Sequence, residues 1–146
     1  YTDEKRCSDI ALISARYPRA IFTGESAYYY YGLSDVIPDQ FHLATLRTDS
    51  RIKDSEIRQY FVNENLFGLG KTVMTYHGTQ IAIYSRERLL VDLIRQKNKL
   101  PYDYYKEIIS SYRRIVEELD FFLVEECAEK LRNRESILNA IELEVL

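Results

Sequence analysis

The sequence predicts an α+β domain: a small, roughly four-stranded sheet, with helices before it and an antiparallel helical half after it. Three observations carry this. Between residues 40 and 84, apolar positions alternate in short runs separated by turn residues. From residue 86 onward they recur every three or four positions instead. The connections within that second part are very short, which implies antiparallel neighbours packed together. A chain of 146 residues suits one ordinary domain, and its low glycine and proline content argues against long disordered tracts.

The elements follow in order. Residues 1–8 are polar and read as a linker or the end of another element. Ile10, Leu12 and Ile13 sit on a short helix that Pro18 ends. Ala20–Ile21–Phe22 is a brief apolar extended segment. Thr23 is placed to cap a helix over 24–31, and Gly32 stands where a left-handed C-cap belongs. Pro38–Asp39 marks a turn into a strand over 40–47. After turn-rich residues 48–56 come strands at 57–62 and 73–76, joined by a loop that contains NENLFGLGK. His77–Gly78–Thr79 then turns the chain into a strand over 80–84.

The strand at 80–84 runs straight into an amphipathic helix. Ser85 is positioned as its N-cap and Glu87 suits the positive first turn. Leu89, Leu90, Leu93 and Ile94 form the inward side. Arg88, Asp92, Arg95 and Lys99 are expected on an outer, water-facing stripe. Beyond Pro101 a helix offers Tyr105, Ile108, Ile109, Tyr112, Val116 and Leu119 to the core. Asp120 can cap the next helix, with Leu119 and Val124 spaced as a hydrophobic staple. A last helix from about residue 134 presents Ile137, Leu138, Ile141 and Val145. The sheet-containing part covers about 17–99 and the helical part about 100–146.

The net charge of −3 is unevenly spread. Residues 51–100 carry nine Lys/Arg against five Asp/Glu, and residues 101–146 carry six against eleven. The acidic C-terminal half argues against wholesale nucleic-acid binding but leaves room for one basic face. Arg86, Arg88, Arg95, Lys97 and Lys99 form the dense basic cluster and are the candidate interaction surface. Cys7 and Cys127 lack metal or redox spacing and fit buried thiols in a reducing cytoplasm. No stretch of eighteen apolar residues suggests a membrane span.

Chemical motifs are weak. The run GLGKT at 68–72 has Asn65 where a phosphate loop needs its first glycine, and strand-like VMTY where it needs a helix. His42, His77, Cys7 and Cys127 share no metal-ligand spacing, so neither metal nor cofactor is expected. Ser26 and Ser85 sit in no nucleophile elbow. A restriction-endonuclease-like site would use Asp39 and a sheet-edge carboxylate, but a strand carrying an acidic residue two before a lysine is missing. The thirteen tyrosines recur on helix core stripes, which favours packing over a base-stacking platform.

Three segments resemble the C-terminal effector domain of AbiEi-type antitoxins from bacterial abortive-infection systems. Residues 17–47 carry Pro18, Ala20–Ile21, Ser26–Ala27, Gly32–Leu33 and His42 in that family's order. IYSRERLLVDLIR at 83–95 is similar to its Ser-x-Glu-Arg-Thr-x-x-Asp-like signature, through Ser85, Glu87, Arg88 and Asp92, with Leu89 where threonine is common. LDFFLVEECAEKLRNRESI looks like its closing helices. The resemblance implies a non-enzymatic cytoplasmic antitoxin that counteracts a nucleotidyltransferase toxin. It also implies that Ser26, Gly32, Ser85, Glu87, Arg88 and Asp92 are structural. A winged-helix domain outside this chain would bind operator DNA and repress the operon, with residues 1–8 as the linker from it. A restriction-endonuclease-like or degenerate nuclease domain, and a plain DNA-binding module, stand as the alternatives.

Overall fold

The computed structural model describes residues 3–131 and 134–146. The side chain of Cys7 and residues Tyr1 and Thr2 lie outside that description. Among the described residues, seven α-helices and a five-stranded sheet form one mixed α/β unit around a continuous apolar core. The helix α1 (Asp3–Arg16) takes in residues 3–8, whose polar composition reads as a linker. No helix among the described residues is long and apolar enough to cross a membrane.

The fifth strand is the finding that most changes the expected sheet. β1 (Ile21–Phe22) is only two residues long, yet it lies at the centre, in the order β3-β2-β1-β5-β4. It pairs antiparallel with β2 (Phe41–Leu46) and parallel with β5 (Thr79–Tyr84). β3 (Ile57–Val62) runs parallel to β2 on one edge, and β4 (Lys71–Tyr76) runs antiparallel to β5 on the other. Central position explains composition: Ile21 and Phe22 are buried on both faces, as β2 is along nearly its whole length.

The helix α2 (Gly24–Tyr30) connects β1 to β2. Its end is closed by Gly32 at φ +74, with Gly32 N–H bonded to Tyr29 O and Leu33 N–H to Tyr28 O. That double bond pattern needs a left-handed residue after the helix, which glycine supplies without steric cost. Ser26, buried, accepts the His42 N–H at 2.8 Å and so pins α2 to the start of β2.

One further element escaped the strand periodicity. A single-turn helix, α3 (Glu64–Phe67), lies inside the loop between β3 and β4. Lys71 and Thr72 already belong to β4, so the glycine run leads into a strand. Gly70 has φ +75, and a Cβ built on it would come within 2.6 Å of the Arg88 Cβ. Glycine is there for close approach.

The helix α4 (Arg86–Arg95) joins the two halves. Ser85 accepts the Arg88 N–H at 3.2 Å as its cap, while Leu89, Leu90 and Leu93 are fully buried. Each of those leucines contributes about 1.5–3 kcal/mol of burial. α4 packs on α6 (Phe121–Lys130) and α7 (Arg134–Glu144), and α5 (Tyr102–Arg114) brings Tyr105, Ile108, Ile109 and Tyr112 into the same core. Asp120 caps α6 by accepting the N–H groups of Phe122 and Leu123 at 3.0 and 3.3 Å.

Candidate functional site

The polar residues at the start of α4 form a clasp. Arg88 is 4 % exposed, which corrects the expectation of an arginine in water. Its Nη1 donates to the carbonyls of Leu66 and Leu69 at 2.6 and 2.7 Å, and its Nε donates to Asp92 at 3.1 Å. The guanidinium lies 4.3 Å from the centre of the Tyr84 ring. Helical spacing alone puts Arg88 opposite the leucines. The physical reason it goes inward is that α3 and the turn after it present two carbonyls that lack strand partners, and a planar five-donor head satisfies both at once. Asp92 follows Arg88 into the protein. Burial pushes its carboxyl above the usual range even though Arg88 and Arg95 pull it down.

Glu87 also turns inward. It is 9 % exposed and accepts the Asp120 backbone N–H at 2.9 Å, so the start of α6 is tied to α4. Tyrosine hydroxyls complete the arrangement by donating to backbone carbonyls: Tyr28 to Leu89, Tyr112 to Arg86, Tyr31 to Tyr84, and Tyr84 to Phe67. Burial raises all four phenols, Tyr31 and Tyr84 to about 12, so each stays a neutral donor. Cys127, buried nearby, has its thiol pushed up to about 11 by burial, which keeps it an unreactive apolar filler.

Beside the clasp opens a cavity of about 380 Å³. It lies where the parallel pair β2–β3 ends, with Ala44 and Tyr60 paired across its floor and Arg47 and Asn63 following the two strands. Arg88, Asp92 and Arg95 form the α4 wall. The candidate basic cluster is thereby divided. Arg86 pairs with Glu118 at 3.5 Å at one end of α4, Arg88 is sealed inside, and Arg95 reaches back to Asp92 at 3.6 Å. Lys97 bonds Glu144 at 2.6 Å, and Lys99 is exposed beyond the helix. Only Arg95, Lys97 and Lys99 remain together as an exposed basic end.

A second polar line runs from α2 to the sheet. His42 and Tyr60 share a sheet face, being diagonal neighbours on β2 and β3, and His42 Nδ1 is 2.8 Å from the Tyr60 hydroxyl. Its Nε2 is 3.2 Å from Glu25. Burial, with the nearby Arg58 charge, lowers the imidazole to about 4. The ring is therefore neutral near pH 7. With Glu25 ionised, Nε2 carries the proton and donates to it, and Nδ1 accepts from Tyr60. A Glu–His–Tyr line has the form of a relay, but a base lowered to about 4 and a phenol raised by burial are poorly matched to proton transfer at pH 7. Tying α2, β2 and β3 together accounts for it. Because the unfolded imidazole binds a proton from about 6.5 downward and the folded one resists until about 4, stability falls as pH drops through that window. Glu25, raised by burial and Asp39, acts in the opposite sense just above its ordinary range. His42→Gln is expected to flatten the pH dependence of urea unfolding between pH 6.5 and 4; an unchanged slope would contradict the assignment.

Asp39 is exposed in the bend before β2. Among the described residues, no three His, Cys, Asp or Glu side chains gather as metal ligands. Arg47 and Tyr60 are the cavity residues that sequence reasoning missed. The signal for them was strand register: once β2 and β3 pair in parallel, Tyr60 faces Ala44, and Arg47 follows the end of β2. In comparison with known proteins, the chain matches no family model and no curated relative.

Proposed function

We propose that the chain is the effector domain of an AbiEi-type antitoxin. In this reading it is a cytoplasmic, non-catalytic domain that counteracts a nucleotidyltransferase toxin. The full-length protein would repress its own operon through a winged-helix domain on operator DNA. The observation that carries the reading is how Ser85, Glu87, Arg88 and Asp92 are used. Ser85 caps α4, Glu87 holds the start of α6, and Arg88 with Asp92 holds the α3 turn. All four signature residues are thus occupied with joining elements, as a non-enzymatic domain requires, and the resemblance of residues 17–47 and 119–137 supports the same family.

The contact face narrows to the exposed basic end, Arg95, Lys97 and Lys99. Co-producing the chain with the toxin encoded beside it should restore growth. Lys97→Glu with Lys99→Glu, in a chain that melts as the parent does, should cut surviving colonies at least about tenfold, because like charges across an interface cost several kcal/mol. Undiminished rescue by that variant would remove the face. Absence of rescue by the intact chain would remove the function.

A further inference from the structure

We propose that the cavity beside α4 is a binding site for a small organic phosphate of mononucleotide size, with Arg47 and Arg95 holding the phosphoryl group. The inference does not rest on the antitoxin reading; the cavity shares Arg95 with the exposed basic end but neither Lys97 nor Lys99.

Position comes first. The cavity lies beyond the carboxyl ends of the parallel strands β2 and β3, next to the point where β2 meets the antiparallel β1. In open sheets that contain parallel strands, ligands settle where strand direction or order changes, because the departing loops leave a crevice there. Its volume of about 380 Å³ falls in the lower part of the ~300–1,000 Å³ spanned by small-molecule sites.

Charge decides the ligand class. Among the described residues, three arginines line the cavity against a single carboxylate, Asp92. Arg88 is fixed by its carbonyl and carboxylate bonds and by the Tyr84 ring, so it supplies a stationary positive charge without needing to move. Asp92 is shared between Arg88 and Arg95. Arg47 has no carboxylate partner among the described residues, and its backbone N–H is anchored to Val62 O at 2.9 Å. An excess of guanidinium around a partly enclosed space suits a phosphate, whose oxygens accept paired N–H donors. Tyr60 is half-buried and lines the same cavity, offering an aromatic surface for a flat organic body. A crevice of this size takes one small ligand, while the acidic C-terminal half disfavours a long polyanion.

Isothermal titration of the full chain at low salt with adenosine 5′-monophosphate, adenosine and inorganic phosphate tests the site. The monophosphate should bind with a Kd of about 1 mM or tighter. Adenosine should give no heat, and Arg47→Ala and Arg95→Ala should each weaken monophosphate binding at least about tenfold without changing the melting temperature. Phosphate binding as strongly as the monophosphate would keep the anion site and assign it to free phosphate, overturning the organic ligand. Absence of binding by both phosphates, equal binding of adenosine, or binding indifferent to Arg47→Ala would overturn the site. Arg47, unlike Arg95, lies outside the proposed toxin face, so the Arg47→Ala result separates failure of this site from failure of the rescue assay.

Discussion

Arg88→Met is expected to destabilise the chain by about 3 kcal/mol, at the low end of what breaking a buried ion pair costs. The low end applies because Asp92 is 18 % exposed and keeps Arg95 at 3.6 Å. The loss has two parts. The Leu69 carbonyl loses its donor, the Leu66 carbonyl keeps only the Leu69 N–H at 3.3 Å, and Asp92 is left with a weaker partner in a place where burial already disfavours its charge. Methionine keeps most of the stem volume, so little of the effect is a cavity. In a chain of this size the melting temperature should fall by roughly 10 °C. Adding Asp92→Leu removes the stranded carboxylate and should recover at least about 1 kcal/mol, a coupling expected of groups in direct contact. Urea unfolding of the two single variants and the pair gives the cycle. A loss below about 1 kcal/mol for Arg88→Met would mean that the guanidinium is not holding the α3 turn.

Gly70→Ala should cost about 2 kcal/mol or more, through two effects that Gly32→Ala separates. Both glycines have nearly the same left-handed φ, +75 and +74. Around Gly32 an added Cβ would meet nothing within 4 Å, whereas at Gly70 it would lie 2.6 Å from the Arg88 Cβ. The segment cannot drift away cheaply, since Gly70 O accepts the Ser85 N–H at 2.7 Å. Thermal melts should therefore show the larger drop for Gly70→Ala. Equal drops would show that backbone strain alone matters and that the stem of Arg88 passes elsewhere.

Much of the fold was legible because its signals are local. Ser85, Gly32 and Asp120 mark helix ends through chemistry confined to four or five residues, and all three occupy those positions. The strands at β2, β3 and β5 declare themselves by alternation. Ile21–Phe22 could not, because two residues have no period; only its neighbours in space make it the centre of the sheet. α3 is a single turn and is equally silent. The candidate site was less legible for a related reason. Helical periodicity assigns a side chain to a face by its own helix, and Arg88 is drawn inward by carbonyls some twenty residues earlier in the chain. Glu87 is drawn by a backbone N–H far later. The cavity needs strand register as well, which brings Tyr60 opposite Ala44 and leaves Arg47 beside the end of β3.

Growth of cells making the nucleotidyltransferase toxin that the proposed function assigns to this chain, together with the paired Arg88→Met/Asp92→Leu variant, most directly separates a clasp from a reaction centre. At a temperature where circular dichroism shows that variant folded, rescue equal to that of the parent chain is predicted, because both residues serve to hold α4 against α3. A folded variant that no longer rescues growth would contradict this, and would place Arg88 and Asp92 in the working surface itself.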